Sequence, residues 1–454
     1  MSFRSVILPA LAAAAMLVPA AVPAVATQAP ASPDTVDLTL EQVDEDVIAD
    51  SLRMRRELGF EATESKLAAI LNTKAASTGS ADGGTQALVN EWGFIGTAAE
   101  AAEMERRDAL ISAVEPTVQK FAQQDNYGGH FLDNKNGGRL VVQFAGALPP
   151  KETQDTLAAE TVASGSSSED VEFRVVQHSS AELTDAMEAV WAWATAADNA
   201  ELPVVAVEED VATNRLKVVL RPGTAPDGVR SVLDRLDIPA NIAEGDGGDE
   251  ACSSRNKCDS PRRGGVGISR TGGACTVGWV VNRNGKRGAV TAGHCWRGTN
   301  SGAVKSGSGT YGSLTGINAL KAGTHADMRF ISIPSNSKTW LYQKASNKAR
   351  VVKKSSLGSI GSAACLFGRN SENPRCGTIS STNASHTSST CNCVVYGQSA
   401  ASYSSAAGDS GGAVASSTKG DVARGVHAGA YGGKKHYSDI GYTSTYNMGK
   451  LATG

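Results

Sequence analysis

No cysteine precedes residue 252 in this chain of 454 residues, aromatic side chains make up 5% of it, and acidic residues become scarce after residue 250. Beyond the apolar run Val6 to Val25, no stretch approaches the length of a membrane span, which excludes a multi-spanning membrane protein. That first run follows Arg4, contains Pro9, Pro19 and Pro23, and ends at Ala24-Val25-Ala26. The prolines make it a poor stable helix, and the small-x-small ending reads as an export cleavage site, so residues 1–26 are expected to be a signal peptide. A secreted, extracellular protein follows from that reading.

Cysteines confined to the second half, eight of them, point in an exported chain to disulfides rather than reactive thiols. Cys391-Asn392-Cys393 resembles half of a metal knuckle, but no second close pair with ligand spacing accompanies it. No metal and no cofactor are expected. The scarcity of acids is local. Residues 1–250 hold 18 Lys/Arg and 40 Asp/Glu, net −22, whereas residues 251–454 hold 25 and 6, net +19. A basic segment with so few aromatics lacks the aromatic–basic interleaving of a nucleic-acid binder. Its acidic partner is already attached in the same chain, so neither nucleic acid nor membrane is expected as a partner.

What is present divides the chain. Leu40 to Leu58 and Thr97 to Phe121 carry apolar residues at helical spacing, and Thr97 with Glu100 forms a capping box. Between them Ala75 to Ala87 reads as flexible. Phe131 to Asp133, Asn134 to Gly138 and Arg139 to Phe144 read as strand, turn, strand. Val204 to Val207, Asp210 to Asn214 and Arg215 to Leu220 repeat that pattern, with a helix at Glu182 to Ala197. Two small α+β subdomains over residues 122–242 are expected, joined near Ser164 to Asp170, after a helical segment at 37–121. A glycine-rich, exposed linker is expected over residues 243–250, centred on Glu244 to Asp249. From 251 to 454 glycine rises to 32 of 204 residues and short apolar runs alternate with polar turns, the punctuation of an all-β domain. Helical periodicity returns only in the last dozen residues.

One set of residues in this half suits amide hydrolysis, which needs a nucleophile, a base, a group to orient the base and donors for an oxyanion. Gly408-Asp409-Ser410-Gly411-Gly412 places a serine between small residues, with the N–H groups of Gly408 and Ser410 as oxyanion donors. Thr291-Ala292-Gly293-His294-Cys295 supplies the base. A Cys275–Cys295 bridge would fix that histidine and contribute about 3 kcal/mol through loop closure. Between His294 and Asp409 there are two acids, Asp327 and Glu372. Glu372 lies in a turn-like loop, whereas Asp327 borders the apolar run Met328 to Ile333, so Asp327 is expected to orient His294. The chain order is His, Asp, Ser.

These motifs, with Arg263-Gly264-Gly265 and the Cys365 to Cys376 loop followed by Gly377-Thr378-Ile379, resemble the bacterial chymotrypsin-like serine proteases of the streptogrisin and α-lytic protease group. Tyr127-Gly128-Gly129-His130-Phe131-Leu132-Asp133 resembles the pro-region of that group. The resemblance implies two antiparallel six-stranded β-barrels with the site between them, after an α+β pro-region (27–250) that assists folding, inhibits the enzyme and is cleaved off between Gly245 and Pro261. It further implies a Cys365–Cys376 bridge and a monomeric peptidase acting on peptide or protein substrates.

Three departures stand out. Gln398 to Ala407 and the stretch after Ser410 lack the usual cysteines, so Cys391 and Cys393 must pair in another way: with Cys252 and Cys258, or with each other at some strain, beside a local Cys252–Cys258 link. Leu366 stands where relatives place the arginine that pairs with the aspartate before the nucleophile, leaving Arg369 or Arg375 to hold Asp409 or to sit at the surface. Ala428 replaces a serine that usually supports the triad aspartate. The pocket walls are expected from Ser404, Ser405 and the alanines after them, and from His427, Ala428, Gly429 and Ala430. No acid lies in either segment, which argues against Arg or Lys before the scissile bond. His427 matches the position of a carboxylate-binding histidine in glutamyl endopeptidases and is equally read as a packed strand residue. A preference for Glu, or for small to medium apolar residues, follows. His325 is expected at the surface, His386 and His436 in polar loops. The reading from another class is an inactive protease fold serving as a binding module.

Overall fold

The computed structural model describes residues 40–78, 89–196, 202–245, 247–249, 262–296, 298–307, 309–335, 337–342, 349–370 and 373–453. The expected export signal, Cys252, Cys258, Glu372 and most of the Ala75 to Ala87 stretch lie outside them.

Helices α1 (Glu45–Glu57), α2 (Glu64–Thr78) and α3 (Ala98–Phe121) come first. Thr97 and Glu100 form the capping box at the start of α3. Buried Arg55 of α1 binds both carboxylate oxygens of Glu100, at 2.9 and 2.7 Å, which ties α1 to that cap.

Two similar units follow. In the first, β1 (Tyr127–Asp133) turns back into β2 (Arg139–Ala145), α4 (Lys151–Ala163) crosses over, and β3 (Val171–Val176) lies parallel to β2. In the second, α5 (Ser180–Ala196) leads to β4 (Val204–Asp210) and β5 (Arg215–Leu220), then α6 (Asp227–Arg235) and β6 (Ala240–Glu244), parallel to β5. Both hairpins turn through a left-handed residue, Gly137 and Asn214, which explains the polar, glycine- or asparagine-rich turns. Ser164 to Asp170 connects α4 to β3 inside the first unit, so the junction between units falls instead between β3 and α5. The expected linker is partly strand: β7 (Gly247–Asp249) follows β6 almost directly.

The remaining chain is built of β-structure. One antiparallel sheet comprises β8 (Gly267–Arg270), β9 (Gly273–Thr276), β10 (Val280–Arg283), β11 (Lys286–Thr291), β12 (Ser301–Ser306), β13 (Gly309–Asn318), β14 (Arg329–Ser332) and the terminal β24 (Lys450–Leu451). It has eight strands among the described residues, one of them contributed by the chain end, which pairs beside β10. Small pieces β15 (Trp340–Tyr342), β16 (Ala349–Val351) and β17 (Lys354–Ser355) lead on. The second sheet has β18 (Ala363–Phe367), β19 (Arg375–Ser388), β20 (Cys393–Ala401), β21 (Ala413–Ala415), β22 (Val422–Tyr431) and β23 (Lys434–Asp439) in the order β18-β21-β22-β23-β20-β19. A further β18–β19 pairing closes this ring of six. The expected terminal helix is the short α7 (Tyr442–Thr445).

The two halves of the chain are joined by backbone and core. β4 pairs antiparallel with β19, so the second α+β unit extends the closed sheet outward. Phe131 bridges to Ile360, and Leu132 N–H donates to the Ile360 carbonyl at 2.8 Å. Met54, Leu58, Trp92 and Phe94 share one apolar core with Trp279, Phe330, Phe367 and Cys376. Gly93 has φ +86°, and a side chain there would run into the Cys376 sulfur.

Candidate active site

His294 lies on the turn that follows β11. Gly293 allows this close packing, since a Cβ there would sit 2.8 Å from Asp327 Oδ1. A Cys275–Cys295 disulfide ties the turn to β9, and the buried Arg329 guanidinium donates to the carbonyls of Cys295 and, at 2.6 Å, Thr299. Burial lowers the Arg329 pKa to about 10, where it remains a cation at neutral pH.

Asp327 is fully buried and directed at this turn. Its Oδ1 accepts the His294 backbone N–H at 2.9 Å and its Oδ2 lies 2.6 Å from His294 Nδ1. Two contacts to one residue fix both the carboxylate plane and the imidazole tautomer that carries its proton on Nδ1. Ala428 is buried on β22. Ser438, on β23, takes over part of the support: its Oγ accepts the Asp327 N–H at 2.8 Å and donates to Gln398 Oε1 at 2.9 Å.

Ser410 stands in the turn before β21. Its neighbours Gly408 and Gly411 have φ of +100° and +86°, and a side chain at Gly411 would collide with Thr291 Oγ1 and the Thr276 carbonyl. Thr276, the last residue of β9, links the parts. Its N–H donates to the Ser410 carbonyl at 2.7 Å, its hydroxyl to the Gly408 carbonyl at 2.8 Å, and its carbonyl accepts the Thr291 hydroxyl at 2.6 Å. The serine turn and the histidine strand therefore hang from one residue.

Asp409 is held by amides. Its Oδ1 accepts from Asn370 N and Nδ2 at 3.0 and 3.1 Å, and its Oδ2 from Ala406 N at 2.9 Å. Arg375 donates to Ser404 Oγ at 3.1 Å. Thr276, Asn370 and Ser438 escape a sequence reading because none lies in a local motif.

Around the expected pocket, His427 is buried on β22 with Tyr403 Oη 3.0 Å from its Nδ1. Its backbone N–H donates to the Gly412 carbonyl at 2.9 Å, and its carbonyl accepts the Gly411 N–H at 2.7 Å, which sets His427 beside the serine turn. Ser404 and Ser405 are half-buried, and Ser404 Oγ also donates to Asp50 of α1 at 3.3 Å. Gly429 and Ala430 are occupied by backbone pairing with β7. Tyr403 is the pocket residue that sequence reasoning omitted.

Disulfides join Cys275 to Cys295, Cys365 to Cys376 and Cys391 to Cys393, the last being the adjacent pairing counted as strained from the sequence. His325 is exposed. His386 and His436 are not in polar loops: both are fully buried strand residues, 3.2 Å apart through their Nδ1 atoms, with His436 Nε2 3.3 Å from Glu208 of β4. The polar residues that flank both histidines concealed their inward direction. Among the described residues no helix is long and apolar enough to cross a membrane.

A closed antiparallel sheet beside a second one, with a G-D-S-G-G turn and a buried His–Asp pair, is similar to the arrangement of a chymotrypsin-like serine protease. No protein-family model matches the chain. It is similar to Serine protease 1 of Streptomyces fradiae, 28% identical over 333 residues, which is 71% of this chain and 80% of that protein. An alignment of that length exceeds the 204 residues after Glu250 and so reaches into the acidic half. Among solved structures, Thermobifida fusca Protease A matches with 24% identity and a TM-score of 0.35, covering 42% of this chain and 99% of that one. Nocardiopsis protease matches with 26% identity and a TM-score of 0.33, covering 41% and 96%.

Proposed function

We propose that the chain is a secreted serine endopeptidase made as a zymogen, with Ser410 as nucleophile, His294 as base and Asp327 as the group that orients and supports the base. The observation that carries this reading is the double contact of buried Asp327 with His294 beside a serine turn built on Gly408 and Gly411. In this mechanism Ser410 Oγ attacks the substrate carbonyl while His294 Nε2 takes its proton. The Gly408 and Ser410 N–H groups receive the oxyanion. His294 then protonates the departing amine, leaving an ester on Ser410 that water hydrolyses by the same route reversed. Asp327 stabilises the imidazolium without taking the proton.

Residues 1–26 act as export signal, 27–250 as pro-region and 251–454 as the enzyme. Support for an inhibitory and folding role of the first half comes from the shared apolar core, the β4–β19 pairing and the β7 strand lying on β22. The opposite charges of the halves favour that association. The enzyme acts as a monomer on peptides and prefers Glu, or small to medium apolar residues, before the scissile bond; His427 and the half-buried serines support this. Cleavage of a peptide library by the processed enzyme, with Ser410→Ala as control, tests it. A dominant preference for Arg or Lys would refute the specificity, and undiminished cleavage by Ser410→Ala would refute the mechanism.

A further inference from the structure

We propose that Ser438 and Gln398 are positioning residues for Asp327, a cross-strand bracket through which the second sheet sets an aspartate carried by the first. This rests on the reading of Asp327 as the group that orients His294, and goes beyond it by assigning what orients Asp327. The carrying observation is a hydrogen-bond chain of fixed polarity. Gln398 Nε2 donates to the carbonyls of His325 and Tyr396, at 2.9 and 3.2 Å. Its Oε1 is thereby turned toward Ser438, whose hydroxyl donates to it at 2.9 Å. With its proton committed there, Ser438 Oγ presents a lone pair to the Asp327 N–H at 2.8 Å. Asp327, Ser438 and Gln398 are all fully buried, which strengthens each of these bonds.

Register explains why the two side chains meet. β20 and β23 run antiparallel with Ser399 opposite Tyr437, and one further step sets Gln398 beside Ser438. The segment they grip, Thr324 to Asp327, follows β13 and precedes β14, so by sequence it belongs to the first sheet. Its anchors come from the other side. Thr324 bridges to Val395 of β20, and its carbonyl accepts the Tyr396 N–H at 2.8 Å. The Tyr446 hydroxyl accepts from Thr324 Oγ1 at 3.0 Å and from His325 N at 2.9 Å. Gln398 then holds the carbonyl on one side of Ala326 and Ser438 the N–H on the other, so both peptide planes leading to Asp327 are fixed. Ala428 has no hydroxyl to offer the carboxylate. The aim of Asp327 Oδ2 at His294 Nδ1, 2.6 Å away, therefore depends on the backbone beneath it. A misplacement of about 1 Å in such a site costs on the order of 10²-fold in rate.

The test measures processed enzyme made from the full chain, with active molecules counted by fluorophosphonate titration. Expected for Ser438→Ala is a fall in kcat of about 10- to 100-fold with KM changed less than about twofold. Ser438→Thr, which keeps the hydroxyl, is expected to restore at least half of that loss on a logarithmic scale. Gln398→Met should lower kcat as well, and Ser438→Ala with Gln398→Met should fall no further than Ser438→Ala alone, because the pair acts as one unit. If Ser438→Ala does not mature, the question is read in full-length Ser410→Ala precursor labelled with nitrogen-15 histidine. There the low-field Nδ1 proton resonance of His294, identified by its loss in Asp327→Ala, is expected to weaken or move upfield when Ser438→Ala is added. A lowered thermal midpoint with unchanged kcat, additive losses in the double variant, or an unmoved low-field resonance overturns the proposal and leaves the protease reading standing. An Asp327→Asn enzyme as fast as the parent overturns the reading on which the proposal rests.

Discussion

Thr276 shows how much of this site depends on a residue outside its motifs. Its hydroxyl and N–H hold the carbonyls of Gly408 and Ser410, and its carbonyl holds Thr291. Thr276→Val removes both hydrogen bonds of the hydroxyl, to the Gly408 carbonyl and from the Arg369 N–H, and strands the Gly408 carbonyl, a cost of about 1–3 kcal/mol. Expected is a fall in kcat larger than any rise in KM, with recovery in Thr276→Ser; a purely structural role would lower the thermal midpoint without that split. Asp327→Asn keeps the shape and disturbs the tautomer, so kcat should fall by about 10⁴-fold, read in steady-state kinetics. The sequence made Ser410 and His294 legible because dense local motifs surround them. Asp327 was found by counting acids. Asn370 and Ser438 were not legible, since a lone polar residue on a strand or loop carries no local sign of the partner it meets across the fold.

At the scale of elements, the two strand–turn–strand units could be read because polar turns punctuate apolar runs. β7 could not, because Gly247-Gly248-Asp249 has linker composition and owes its form to a partner strand some 180 residues further on. The docking elements make two predictions. Gly93 has a left-handed backbone and packs on the Cys376 sulfur, so Gly93→Ala should weaken docking of the helical segment and lower the precursor's thermal midpoint. A midpoint equal to the parent's would contradict that packing.

The joint also titrates. Burial pulls His130, 2.8 Å from Ser359 Oγ, down to about 4 from its ordinary 6.5, so its contribution is present above pH 6.5 and fades as pH falls toward 4. Burial raises Glu209 to about 7 despite hydrogen bonds from Ser180, so its contribution is full below its ordinary pKa and is lost as pH rises through 7. The Ser410→Ala precursor should therefore be less stable on the alkaline side in a way that Glu209→Gln abolishes, while the acid-side loss remains. Thermal midpoints measured from pH 4 to 8.5 would show this, and an unchanged alkaline limb in Glu209→Gln would contradict it.

At the scale of the molecule, the net −22 and +19 halves could be read from composition, as could the all-β character of the second. The ring of six strands and the β4–β19 continuation were beyond it, because both depend on pairing between distant segments. Together they join the two halves, and under the proposed zymogen reading the first half is the cover over Ser410, which is fully buried. The central claim is that Ser410 is an activated nucleophile once that cover is removed. Treating processed protein with a fluorophosphonate probe and mapping the adduct by mass spectrometry tests it most directly. The account predicts one adduct, on Ser410, that is absent from Ser410→Ala and sharply reduced in Asp327→Asn and in the unprocessed precursor. Absence of labelling in processed, folded protein, or equal labelling of Ser410→Ala, would contradict it.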